Sequence, residues 1–216
     1  ASKYKRNGMS DWLELYLYDH GFLRIAFNNL YQIDKNMWRS NQPSPKQIEY
    51  AHKELGIKTI LNLRGPRETG GWQLEAETCD RLGIKLVNFR VRSRAAPEKE
   101  MLLKIPCLFS SIKGPALLHC KSGADRAGLM SALYVIIVMR RPANIALKQL
   151  SFKYLHVKQA KAGILDAFIT SYIPFEKKGV GFMKWVEDFY NPDTLLLEFQ
   201  AQPWASRFVD SILKRE

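Results

Sequence analysis

Between about residue 37 and residue 140 the chain alternates short apolar runs with segments whose apolar residues recur at helical spacing. "MWRSNQP" reads as a strand ending at Pro43. "SPKQIEYAHKELG" reads as a helix with Ser44 as N-cap, Pro45 at the first helical position and Gly56 as its stop. "IKTILNLRG" is a buried strand running to a loop at "RGPRETGG", "WQLEAETCDRLG" an amphipathic helix, and "IKLVNF" the next strand. A basic loop, "RVRSRAAP", leads to the helical "EKEMLLKIPCLFSSIKG", in which Pro106 is expected to kink or end a turn. "PALLHC" is a further strand, and the apolar run Leu129 to Met139 a core helix. "PANIALKQLSFKYL" and "KAGILDAFITSYI" read as two more helices. This order predicts an α/β fold with a central, mostly parallel twisted sheet flanked by helices.

The main domain is expected over residues 37–172, with a helical and strand extension at 1–36 and a helical extension at 173–216 after breaks at Pro174 and Gly179 to Gly181. Residues 10–27, "SDWLELYLYDHGFLRIAF", read as a helix and strand covering the core in preference to a membrane-surface or partner-binding helix.

Composition narrows the chemistry. At 216 residues and 46% hydrophobic content, the chain can bury one sizeable core. Thirty-three Lys+Arg against 21 Asp+Glu leave +12, which points to anionic partners: phosphoproteins, lipid headgroups, polyphosphates or nucleic acid. Nucleic acid is not expected, since no recognition signature is present. Three widely spaced cysteines, Cys79, Cys107 and Cys120, fit free thiols in a reducing, cytoplasmic setting, with a peripheral place at a membrane left open. The histidines show no metal-ligand spacing, so neither a metal nor a cofactor is expected. The start, "ASKYKRNGMSDW", shows no secretory signal. The longest apolar run is much shorter than the roughly 20 residues a membrane span requires.

The segment "HCKSGADRAG", His119 to Gly128, lies between the last strand and the core helix. If the loop wraps so that the amides of residues 121–126 converge, those N–H groups and the positive helix end make an anion nest, with Gly123 permitting the turn. Arg126, at the helix start, can hold two oxygens of a phosphate with its planar fork. Cys120 at the floor of the nest would then have its thiol pKa lowered, making it a thiolate near neutral pH. Such a thiolate can displace an alkoxide or phenoxide from phosphorus and form a phosphocysteine that water hydrolyses, with no metal.

"HCKSGADRAG" resembles the HC-x5-R signature of cysteine-based protein tyrosine and dual-specificity phosphatases, and "WRSNQPSP" and "GIKTILNLRG" resemble bacterial dual-specificity-like members, over roughly residues 37–172. The resemblance implies a dual-specificity-phosphatase-like fold, Cys120 as nucleophile, Arg126 as phosphate clamp, and Lys121, Ser122, Gly123, Ala124, Asp125 and Arg126 as the phosphate loop. Two departures matter. Ala127 stands where the family usually has Ser or Thr, which would slow breakdown of the phosphocysteine. The usual upstream acid is also missing, because residues 81–96 contain no carboxylate. Glu98 and Glu100 read as charge complements to a helix start. Asp125 is the better candidate acid, in a C-x4-D-R spacing that resembles myotubularins and Sac-type phosphoinositide phosphatases; the alternative is a solvated carboxylate paired with a nearby arginine.

Lys121, with Arg90, Arg92, Arg94 and Arg67, would form a basic rim suited to more than one phosphate, unless the alternating arginines are simply solvated. Three readings follow: a protein tyrosine or dual-specificity phosphatase, a phosphoinositide or other inositol or phospholipid phosphatase, and a weakly active phosphate-binding pseudophosphatase. The expected partner is a phosphorylated protein, lipid or inositol, and an anionic membrane surface is a further candidate. A rhodanese-type sulfur-transfer site is disfavoured by Gly123 and "RAG".

Overall fold

The structure, a computed structural model, describes residues 28–66 and 70–201. It divides into two compact units. The first ends at Val91 and takes back Ile112–Ala127; the second holds Arg92–Ser111 and the chain from Gly128 onward. The reading of residues 10–27 lies outside the described residues.

The first unit is built on a five-stranded sheet in the order β1-β2-β5-β3-β4, with β1 (Tyr31–Asp34), β2 (Met37–Ser40), β3 (Thr59–Asn62), β4 (Lys85–Asn88) and β5 (Ala116–His119). β2, β5, β3 and β4 are parallel, and β1 is an antiparallel edge. β3 and β5 are buried at every residue, as central strands of a parallel sheet must be when both faces are covered. The register aligns Ser40, His119, Asn62 and Asn88 across the carboxyl ends of the four parallel strands. β1 falls inside the segment expected as an extension and forms a hairpin with β2.

Helix α1 (Pro45–Leu55) has the expected ends: Ser44 and Gln47 form a reciprocal capping box, and Gly56 adopts φ +67 at the stop. It packs with α2 (Gly70–Leu82) over Ile48, Ala51, Ile57, Ile60, Cys79, Ile84 and Leu117. Helix α4 (Asp125–Ile137) starts in this unit, and the unit boundary passes between Ala127 and Gly128.

The second unit contains α3 (Lys99–Ser111), α5 (Ala143–Ala146), α6 (Ile164–Glu176), α7 (Phe182–Asp188) and α8 (Pro192–Gln200). Three expectations are corrected or narrowed here. Of the two outcomes expected at Pro106, a kink or an end, the end is excluded, because α3 runs on through it to Ser111. "PANIALKQLSFKYL" is not one helix but a single α turn followed by short 3-10 pieces, because Ser151 is extended (φ −142, ψ 160) and interrupts the helical path. Nor is there a break at Pro174: α6 continues through it to Glu176. Phe168, Tyr172 and Phe175 all pack against Trp185 at ring-centroid separations of 5.6, 5.3 and 6.3 Å. That aromatic packing outweighs the helix hydrogen bond the proline cannot make. Among the described residues, no helix is long and apolar enough to cross a membrane.

Candidate active site

Cys120 follows β5 directly, so the fully buried strand delivers its thiol to the carboxyl edge of the sheet, where only 1% of the residue is exposed. The next four residues form a tight loop, and α4 begins at Asp125. What sets the direction of the loop amides is the fate of its carbonyls. The Gln42 N–H donates to Lys121 O (3.3 Å) and the Asn29 side chain to Ser122 O (2.9 Å). The Arg39 guanidinium donates to Gly123 O (2.7 Å) and Ala124 O (3.3 Å). In a peptide the N–H and C=O point in opposite directions, so four carbonyls pulled toward β2 and its flanks turn their amides the other way. The Gly123 N–H donates to Cys120 Sγ at 3.3 Å.

Gly123 is required here for two reasons. Its φ is +77, and a β-carbon on it would lie 2.8 Å from both Asn29 Nδ2 and Asn41 N and 2.9 Å from Ser40 C. The loop therefore sits against Ser40–Asn41 at a distance that only a residue without a side chain permits. Arg126 is in the first turn of α4 and half-buried, and no hydrogen bond or ion pair engages its guanidinium among the described residues. Asp125 is the first residue of α4 and half-buried, where its charge also complements the helix N-terminus. Ser122 is exposed and its Oγ accepts from the Ala124 N–H at 3.4 Å, while Ala127 is wholly buried.

Behind the loop runs a buried polar chain that sequence reading missed. His119 Nε2 donates to Glu75 Oε1 (2.6 Å), Gln42 Nε2 donates to Glu75 Oε2 (2.7 Å), and Arg64 Nη1 donates to Gln42 Oε1 (2.9 Å). All four residues are at most 5% exposed. Glu75 could have been noticed, because it shares the buried side of α2 with Ala76 and Cys79. So could Arg39, a charged residue in a four-residue strand that is otherwise apolar or small.

Of the arginines expected at the rim, three are among the described residues. Arg90 is exposed and belongs to this unit; Arg92 and Arg94 are exposed in the second unit, where Arg92 pairs with Glu98 at 3.3 Å. Arg67 lies outside the described residues. Val91, between Arg90 and Arg92, is buried, with its N–H on Leu63 O at 3.1 Å. All three cysteines are free thiols.

A cysteine at the end of a parallel strand, a loop with its carbonyls drawn back, and an arginine in the first turn of the next helix together define the class of cysteine-dependent phosphatases. Within that class the chain belongs to the family described as a DSP-PTPase phosphatase fused to NAD+ kinase, whose model matches residues 27–164. It is 25% identical over 123 residues to the dual specificity protein phosphatase TpbA of Pseudomonas aeruginosa (strain UCBPP-PA14), a match covering 56% of this chain and 53% of that protein. The chain thus spans about half the length of the curated relatives it matches. A crystal structure of P. aeruginosa TpbA superposes with a TM-score of 0.54 at 20% identity, over 67% of this chain and 84% of that one. The catalytic core of the PP-IP phosphatase Siw14 from S. cerevisiae, in complex with citrate, gives 0.53 at 18% identity, over 70% and 91%. PTPMT1 gives 0.51 at 16% identity, over 69% and 99%. At these identities the structural likenesses establish the fold.

Proposed function

We propose that this chain is a phosphomonoester hydrolase of the protein tyrosine or dual-specificity type, working through a phosphocysteine. The observation that carries the reading is the set of four loop carbonyls engaged by Gln42, Asn29 and Arg39, which turns the loop amides away from β2, the direction of the Gly123 N–H that meets Cys120 Sγ, as a loop that holds a phosphoryl group over Cys120 requires. In the first step the Cys120 thiolate bonds to phosphorus as the ester P–O bond breaks. The departing oxygen takes a proton from Asp125, the acid we assign in place of the missing upstream carboxylate. In the second step water attacks phosphorus and gives a proton to the Asp125 carboxylate, the S–P bond breaks, and inorganic phosphate leaves with the thiolate and the Asp125 acid restored. Arg126 and the amides answer the developing charge, so the chemistry calls on no metal. The buried ring of His119, fixed by Glu75, keeps the end of β5 in place beneath the loop.

Among substrates, a phosphotyrosine-bearing protein is favoured by the TpbA relationship and by a TpbA crystal structure that holds pTyr. An inositol phosphate or phosphoinositide is the second reading, favoured by Lys121 and Arg90 in the unit that holds the loop and by the PP-IP phosphatase Siw14 among the structural neighbours.

Turnover of a small aryl phosphate, followed by a panel of phosphotyrosine peptides and inositol phosphates, tests both readings. Hydrolysis that Cys120→Ser abolishes and vanadate blocks is expected. An inactive protein that still binds phosphate through Arg126 would convert the reading to a phosphate-binding module, the outcome Ala127 allows.

A further inference from the structure

From Ala127 to Leu165 the chain contains no Asp or Glu, yet it carries Arg140, Arg141, Lys148, Lys153, Lys158 and Lys161. Within this stretch, in the second unit, residues 151–163 fold as successive hydrogen-bonded turns. Tyr154 N–H donates to Ser151 O (3.0 Å), Leu155 N–H to Phe152 O (2.8 Å), Ala160 N–H to Val157 O (3.1 Å) and Gly163 N–H to Ala160 O (2.9 Å). Two side chains anchor the turns inward: Tyr154 is buried, and buried His156 meets Asp166 of α6 at 2.6 Å. Residues on either side of the anchors, and Leu155 between them, are left facing solvent. Phe152 is 77% exposed and Leu155 and Val157 are each 44% exposed, with Lys153, Lys158 and Lys161 exposed beside them. Leu155 adopts φ +65, a left-handed conformation where glycine or asparagine is the ordinary occupant, so backbone geometry does not account for a leucine there.

Exposed apolar tips interleaved with lysines, in a stretch of chain that contributes no Asp or Glu of its own, are the composition of an element that lies on an anionic bilayer. A protein partner fits less well. Protein–protein interface cores favour arginine and are depleted in lysine, whereas every cation from residue 148 to 161 is a lysine. Lysine stems can lie along an apolar surface while the ammonium reaches the level of lipid phosphates. We propose that the 151–161 turns seat this protein on an anionic membrane surface, with Phe152, Leu155 and Val157 entering the boundary between headgroups and acyl chains and Lys148, Lys153, Lys158 and Lys161 meeting lipid phosphates.

Cosedimentation of the full chain with vesicles tests this without depending on any enzymatic activity. Vesicles of phosphatidylcholine alone are compared with vesicles in which about a third of the lipid is phosphatidylglycerol, at physiological ionic strength. The protein is expected to pellet with the anionic vesicles and not with the neutral ones. Phe152→Ser combined with Leu155→Ser should weaken partitioning at least about tenfold. Lys153→Gln, Lys158→Gln and Lys161→Gln together should weaken it about a hundredfold. Lys46→Gln, Lys58→Gln and Lys85→Gln together remove the same charge from exposed sites in the first unit and should leave most of the partitioning in place. Unchanged melting temperatures show that the variants are folded. Equal losses in the two lysine triples, or full partitioning by the serine variant, would overturn the proposal in favour of diffuse attraction by net charge. Failure of the wild-type chain to bind anionic vesicles would overturn it directly, as would light scattering showing that Phe152 instead holds two copies together.

Discussion

Cys79 and Cys120 are each only 1% exposed, yet the chain surrounds them in opposite ways. Cys79 lies on α2 among Ile48, Ile57, Ile60, Ile84 and Leu117. Burial, with the Glu75 charge adding to it, pushes its thiol well above the ordinary range. Cys120 accepts the Gly123 N–H, and Arg126 follows in the first turn of the next helix. Burial alone therefore says little about a cysteine. The sign of the neighbouring charge and the direction of the neighbouring dipoles separate an inert thiol from one placed to react.

The sharpest way to break this comparison is to exchange the roles of the two thiols. Cys120→Ser should lower kcat/KM for an aryl phosphate by at least about a thousandfold, while Cys79→Ala leaves it within about twofold and instead destabilises the fold by about 1 kcal/mol. Comparable activity losses in both would dissolve the distinction. Next in size, Arg126→Ala should cost about a hundredfold to a thousandfold in kcat/KM. Arg126→Lys should recover only part of that, since an ammonium restores charge but not the two-pronged grip.

Gly123→Ala probes the geometry of the cup. With φ at +77 and backbone atoms 2.8 to 2.9 Å from the new methyl, it should lower stability by about 1–3 kcal/mol in a denaturant titration and reduce turnover as the loop shifts off Ser40–Asn41. Glu75 touches both regions. Glu75→Gln keeps the shape but removes the charge-assisted partner of His119, and should reduce kcat by about tenfold with little change in KM. An unchanged kcat would show that the buried chain serves stability alone.

The smallest effect is a pH dependence belonging to Cys79. Its ordinary value is 9.0 and folding raises it, so above about pH 9 the unfolded chain loses a proton that the folded chain keeps. The unfolded state then binds fewer protons, and stability falls as pH rises. Tyr190 and Tyr172 are raised as well, mainly by burial, and act at higher pH in the same direction. Melting temperatures across pH 8 to about 10.5 should therefore fall less steeply for Cys79→Ala than for the wild-type chain.

Local signals carried much of the fold. Ser44, Pro45 and Gly56 bound α1 because capping chemistry is decided by a few adjacent residues. β3 and β5 are evident as apolar runs because both faces of a central parallel strand are covered. The loop from Cys120 to Arg126 is legible from neighbours too: the strand end at His119, the glycine at 123 and the helix start at Asp125 follow one another within a few positions. The Pro174 break and the single helix at 142–155 were misread because their outcomes rest on partners distant in sequence. Trp185 carries α6 past its proline, and Asp166 draws His156 inward.

The order of residues alone therefore determined the alternation of strands and helices, the placing of Cys120 at a strand end and Arg126 in the first turn of a helix, and the turn at Gly123, since each depends on neighbours within a few positions. Only the tertiary structure decided that Arg39, Gln42 and Asn29 grip the loop from behind and that Glu75 reaches His119 across 44 positions of chain. Hydrogen bonds between groups so far apart in sequence leave no periodic trace. They exist only once the sheet has aligned the strand ends that bring those groups within reach.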